Sequence, residues 1–223
     1  MATRSNSKTP QSKTPQRRRS PLPAQRQRDP ERTRESILQA ALVEFGDKGF
    51  AGARVSQIAA RAGVNEQLLS YYFGGKAGLY QALSQRWESV GGQLARPDLP
   101  LAEVVVNFFR ASLDNRAWTR LLLWQGLAES AESATERPSD RQPDPFMQDM
   151  VADLRRRQAA SELPADLDAC HVLLALFAAA SAPVMLPHMV RRICGADPSS
   201  EKFAAQYAAQ LARLVQHLAA GGK

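Results

Sequence analysis

Apolar residues recur at helical spacing along most of this chain. Residues 31–48 carry Ile37, Leu38, Ala41, Leu42 and Phe45 on one face, which predicts an amphipathic helix closed by Gly49. A second run opens at Lys76 with Leu79, Leu83, Trp87 and Val90 and is expected to end at Gly91-Gly92. Leu101, Val104, Val105, Phe108, Phe109, Ser112 and Leu113 form the next stripe. Residues 118–130 continue with Leu121, Leu122, Trp124, Gln125 and Leu127, and residues 146–160 with Met147, Met150, Val151 and Leu154. Between these two lies a polar stretch with Pro138, Pro143 and Pro145, read as a mobile loop. A long helix is expected from about Pro164, apolar all round between Val172 and Ala182, with Pro183 and Pro187 kinking or ending it. A last helix, residues 199–220, aligns Phe203, Tyr207, Leu211, Leu214, Val215 and Leu218. No strand pattern and no internal repeat occurs, so the fold class is all-α.

Residues 55–76 read VSQIAARAGVNEQLLSYYFGGK. This predicts two short helices around a tight turn. Ile58, Ala59 and Ala62 mark the inner face of the first, Gly63 sits at the reversal, and Val64 plugs the gap. Asn65 is a good N-cap for the second helix. That helix turns Leu68 and Leu69 inward and leaves Gln67, Ser70 and Tyr71 outward. Such a layout is that of a helix-turn-helix whose second helix enters the DNA major groove.

Charge changes the picture at the N-terminus. The net charge is +7, and residues 1–30 hold eight Lys/Arg against one Asp. Rich in Pro, Gln, Ser and Thr, this tail is expected to be disordered. Two readings of it stay open: an arm adding DNA phosphate contacts, or a solubilising leader. The rest of the chain is close to neutral. Three parts follow: a disordered basic tail over residues 1–30, a three-helix DNA-binding domain over 31–90, and a helical domain over 91–223. The two cysteines, Cys170 and Cys194, have no metal-ligand spacing and fit reduced thiols. With no long apolar run and no secretory signal, a cytoplasmic protein without a membrane partner is expected. His171, His188 and His217 lie on separate stretches, and neighbours Cys170 and His171 point apart on a helix. There is no phosphate-binding glycine loop and no metal motif, so no enzyme activity, cofactor or metal is expected.

Over residues 32–85 the chain resembles the TetR (tetracycline-repressor) family of bacterial transcriptional regulators. The matching residues are Ile37-Leu38, Ala40-Ala41, Phe45 and Lys48-Gly49-Phe50, then Ile58-Ala59 and Ala62-Gly63-Val64, then Leu69, Tyr71-Tyr72-Phe73, Lys76 and Leu79. Two departures stand out. Ala53 and Arg54 occupy positions where many members have a capping Ser or Thr, and the recognition helix has Gln67 and Ser70 where Gly or Pro and Tyr are frequent. The operator sequence therefore does not carry over from a relative.

The resemblance implies a sequence-specific, ligand-responsive repressor that binds a palindromic operator as a homodimer. An effector-independent adaptor that recruits another protein is the alternative. By the family pattern, Gln67 can pair with adenine and Ser70 can donate or accept at base edges. Tyr71 can meet a thymine methyl or a phosphate. Glu66 either accepts from a cytosine amino group or favours the helix N-terminus. Tyr72 and Lys76 are expected as backbone anchors, and Arg54, Ser56 and Gln57 as further phosphate contacts. The last two helices, rich in alanine, are expected to form the dimer bundle. A small-molecule effector is expected among the helices of the second domain, with Phe108, Phe109, Trp118, Trp124, Met147, Met150 and His171 as candidate lining.

Overall fold

A computed structural model describes residues 23–132 and 144–220. Among them the chain forms ten helices: α1 (Pro23–Gly52), α2 (Val55–Ala62), α3 (Glu66–Phe73), α4 (Lys76–Leu94), α5 (Leu101–Asp114), α6 (Arg116–Glu132), α7 (Pro145–Ala159), α8 (Ala169–Met185), α9 (Pro187–Cys194) and α10 (Glu201–Ala220). The fold is all-α, with an N-terminal helix-turn-helix unit and a C-terminal helical part. Residues 1–22 of the basic tail and the middle of the polar stretch, residues 133–143, lie outside the described residues.

Three details differ from the periodicity. Residues 23–30, expected to be unstructured, form the first turns of α1. Pro23 has the preset φ of a first helical residue, and the Gln/Arg run after it favours helix. Helix α4 does not stop at Gly91-Gly92 but runs on to Leu94. Gly91 stays helical because its missing Cβ makes room for Phe146, whose Cζ would lie 2.5 Å from such an atom. Helix α8 starts at Ala169, where Asp168 accepts from the Cys170 and His171 N–H groups, rather than near Pro164. It continues through Pro183 and ends at Met185, ahead of Pro187 in the first turn of α9. Helix α1 breaks where expected, at Gly49 (φ 68°).

The first core gathers Ile37, Ala41 and Phe45 of α1, Ile58 of α2, Leu69 of α3 and Leu79 of α4. All are fully buried, which stabilises by roughly 1.5–3 kcal/mol for each of the five large side chains, Ile37, Phe45, Ile58, Leu69 and Leu79. Trp118 and Leu121 of α6 belong to the same core. Helix α6 thus contributes to the core beneath the helix-turn-helix. A second core joins Val105 and Phe109 of α5, Leu176 and Ala180 of α8, and Leu211 and Val215 of α10. The Ser112 hydroxyl ties α5 to α8 by donating to the carbonyls of Phe109 (2.7 Å) and Ala180 (3.1 Å).

Candidate functional site

The reversal between α2 and α3 turns on Gly63, held at φ 69° in the left-handed region that a side chain disfavours. Asn65 follows, and its side-chain oxygen accepts from the Leu68 N–H at 2.7 Å. Leu69 and Phe73 anchor α3 in the core, leaving Glu66, Gln67, Ser70 and Tyr71 exposed, Tyr71 by 82%. Gln67, Ser70 and Tyr71 stand three and four residues apart and so share one open face. Arg54, Ser56 and Gln57 are exposed at the start of α2. Arg54 gives no side-chain cap to α2. The support there comes from α1, where the buried Glu44 carboxylate accepts from the Arg54 N–H (3.4 Å) and from Lys48 Nζ (2.7 Å). Burial pushes the Glu44 carboxyl up, but the Lys48 ammonium and the Arg54 N–H outweigh it and hold it below its ordinary value.

Tyr72 is half-buried, edge-on to Tyr71 and beside Phe73. Lys76 Nζ donates to the Ala51 carbonyl at 3.0 Å and sits 4.8 Å above the Phe50 ring. It therefore pins the start of α4 to the end of α1, and a phosphate would share it with two partners of this chain. Arg34 of α1 lies over the Phe73 ring at 5.1 Å.

A cavity of about 290 Å³ opens between α4, α5, α6, α7 and α8. Its wall includes Trp87, Phe108, Leu122, Phe146, Met150 and Phe177, with Ser112, Thr119, Ser181, Asp149 and Asp153 as polar members. Asp153 is held by Arg156 and Arg157, and the buried Arg157 also donates to the Leu99 carbonyl (2.8 Å) and to Glu162 (3.1 Å). This fixes the α4–α5 connection against α7. The Asp153 carboxyl is pushed up by burial, yet its two arginine partners bring it below its ordinary value.

A family model described as bacterial regulatory proteins of the tetR family matches residues 37–83, and one described as a tetracyclin repressor-like C-terminal domain matches residues 100–216. The chain belongs to the TetR family. It is 30% identical over 172 residues to the HTH-type transcriptional repressor SCO4008 of Streptomyces coelicolor, covering 75% of this chain and 86% of that one. It is 33% identical over 147 residues to the HTH-type transcriptional regulator SrpR of Pseudomonas putida, covering 62% and 67%. Among solved structures, the protein SCO4942 of Streptomyces coelicolor superposes with a TM-score of 0.66 at 24% identity, covering 83% of this chain and 97% of that one. The ketosteroid regulator KstR2 of Mycobacterium tuberculosis superposes at 0.57 and 18% identity, covering 82% and 93%. This TetR-family chain is accordingly a DNA-binding transcriptional regulator.

Of the expected lining residues of this TetR protein, Phe108, Met147 and Met150 stand on the cavity wall. The other four lie elsewhere. Phe109 is buried against Tyr207, their ring centroids 5.0 Å apart. Trp118 lies in the first core, stacked on Trp87. Trp124 covers Gly49, and His171 is exposed beside Asp168. Gln125 donates to the Tyr80 hydroxyl, and Arg120 pairs with Asp47 at 2.7 Å. The wall residues Trp87, Phe146, Asp149 and Asp153 escaped the sequence reading. A signal was present for three of them: Phe146, Asp149 and Asp153 share the face of α7 that carries Met150. Carboxylates on an otherwise core-facing stripe mark a polar demand there.

Proposed function

We propose that the protein is a ligand-responsive repressor that binds a roughly palindromic operator as a homodimer, in the cytoplasm and without catalysis. One observation carries the ligand dependence: α4 and α6 build both the DNA-binding core and the cavity wall. Leu79 and Leu83 of α4 and Trp118 and Leu121 of α6 lie in that core, while Trp87 of α4 and Thr119 and Leu122 of α6 line the cavity. A ligand that favours one packing of these helices biases the placement of α3. The relative SCO4008 is a repressor by name, and repression is the sign we assign here.

For the DNA contacts, the open face of α3 supports Gln67, Ser70 and Tyr71 as the groove-facing set and Arg54, Ser56 and Gln57 as phosphate contacts. Two-fold symmetry is supported by an uncovered apolar face in the C-terminal part. Leu174, Ala175 and Ala178 of α8 and Ala205 and Leu214 of α10 are all exposed, Leu174 by 65% and Leu214 by 60%. Among the described residues no single helix is long and apolar enough to cross a membrane, and α8 and α9 pass that test only as a pair bent by 90°.

The test is footprinting on the DNA upstream of its own gene, in moderate salt with competitor DNA. A protected, roughly symmetric site is expected. Gln67→Ala and Tyr71→Ala should each weaken it by about tenfold, because a good base contact is worth ~1–3 kcal/mol. A footprint that no compound ever releases would leave the adaptor role instead.

A further inference from the structure

The cavity wall is uneven in its chemistry. No lysine, arginine, histidine or side-chain amide reaches it among the described residues, while two carboxylates do. Two of its three inner hydroxyls, those of Ser112 and Thr119, are already committed as donors, and only the Ser181 hydroxyl has no partner among the described residues. Ser112 donates to the Phe109 and Ala180 carbonyls, and Thr119 to the Ser112 (3.3 Å) and Asn115 (3.4 Å) carbonyls. Towards the cavity these oxygens have only lone pairs left. Of the two carboxylates, Asp153 is neutralised by Arg156 and Arg157. Asp149, one helical turn earlier, has no hydrogen bond or ion pair among the described residues. It stands on the wall with the rings of Phe146, Trp87, Phe108 and Phe177.

We propose that this cavity takes a lipophilic cation: an apolar body among the aromatic rings and a positively charged head, such as a quaternary ammonium, at Asp149. Ring faces attract a cation through their quadrupoles, and the Asp149 carboxylate, unpaired among the described residues, adds an opposite charge. An anionic ligand would meet the Asp149 charge and find no cation to balance its own, with the neutral Ser181 hydroxyl as the one side-chain O–H among the described lining residues not already committed. The inference rests on the reading of this cavity as the effector site. Asp149 is exposed, so its share of the attraction is screened and modest.

The experiment is calorimetric titration of the full-length, DNA-free protein with three probes. These are phenylbutyltrimethylammonium, its neutral isostere with a carbon in place of the nitrogen, and phenylbutanesulfonate. The cation should bind about tenfold more tightly than the neutral isostere, and the sulfonate most weakly. Asp149→Asn should weaken the cation about threefold to fivefold and leave the neutral isostere unchanged. Phe108→Trp, which fills the cavity, should weaken both. Equal or tighter binding of the neutral or anionic probe, no binding of any of them, or a cation preference untouched by Asp149→Asn would overturn the proposal. Operator release is scored separately. Cation binding as described without release would leave the cavity chemistry standing and overturn ligand control of DNA binding. Release by an uncharged compound, with no preference for the cation, would do the reverse.

Discussion

At the scale of single residues, the helix-turn-helix depends on two polar side chains with unlike visibility. Asn65 caps α3 through the Leu68 N–H. Replacing it with alanine should cost about 1 kcal/mol, read as a lower thermal midpoint, and should weaken operator binding by loosening the recognition helix. Glu44 works from beneath α2, and its folded-state value is lowered. Its contribution to stability is therefore complete above the ordinary value of 4.5 and is lost as pH falls through the lower folded value. Thermal melts across pH 3 to 6 should show Glu44→Gln less stable than wild type at the upper end, by roughly 1–2 kcal/mol, with the difference closing as the solution becomes more acid. Asn65 is legible from sequence because capping is local. Glu44 is not, because its partner N–H lies ten residues on and only folding brings the two together. The same holds for Lys76, expected by position as a phosphate anchor, which the structure ties to Ala51 and Phe50.

At the scale of elements, the joint between α1 and α6 is a close backbone-to-backbone packing. A Cβ on Gly46 would lie 2.6 Å from the Ala117 carbonyl oxygen, a backbone atom that cannot rotate away. Asp47 and Arg120 close the same seam. Gly46→Ala should force the helices apart, costing about 1–3 kcal/mol, and should reduce the ligand-dependent change in operator affinity more than ligand affinity itself. Titration of operator with and without ligand checks this. Helical periodicity reveals that α1 and α6 exist. It does not reveal that they touch, since the signal is one glycine whose partner is 71 positions away. The helix boundaries shifted for similar reasons: Gly91 reads as a terminator until Phe146 is seen packed on it.

At the scale of the molecule, the exposed apolar faces of α8 and α10 are the surfaces that the proposed homodimer would bury. Leu214→Glu places a charge in the expected two-fold interface and should convert dimer to monomer in sedimentation, with operator affinity falling by at least about a hundredfold. An unchanged dimer would move the interface elsewhere. The two-part layout was legible in the sequence, from the family-like first half and the amphipathic stripes of the second. The cavity was legible only as a neighbourhood, because lining depends on which side of a buried helix faces a void. Phe108 and Phe109 are adjacent in sequence, yet the first faces the cavity and the second faces Tyr207.

The stacked indoles make the joint between the two halves optically active. Trp87 lines the cavity, Trp118 belongs to the DNA-binding core, and their rings lie 5.5 Å apart at 28°. Two chromophores so close share their excited states, and the Trp118 indole, its N–H buried without an acceptor among the described residues, should absorb and emit at shorter wavelength than an indole in water. The sign and size of the resulting circular-dichroism couplet depend on the angle between the rings. A ligand that tilts Trp87 should therefore alter that couplet, and Trp118→Phe should abolish it, so the protein carries an unlabelled reporter of the switching proposed for it.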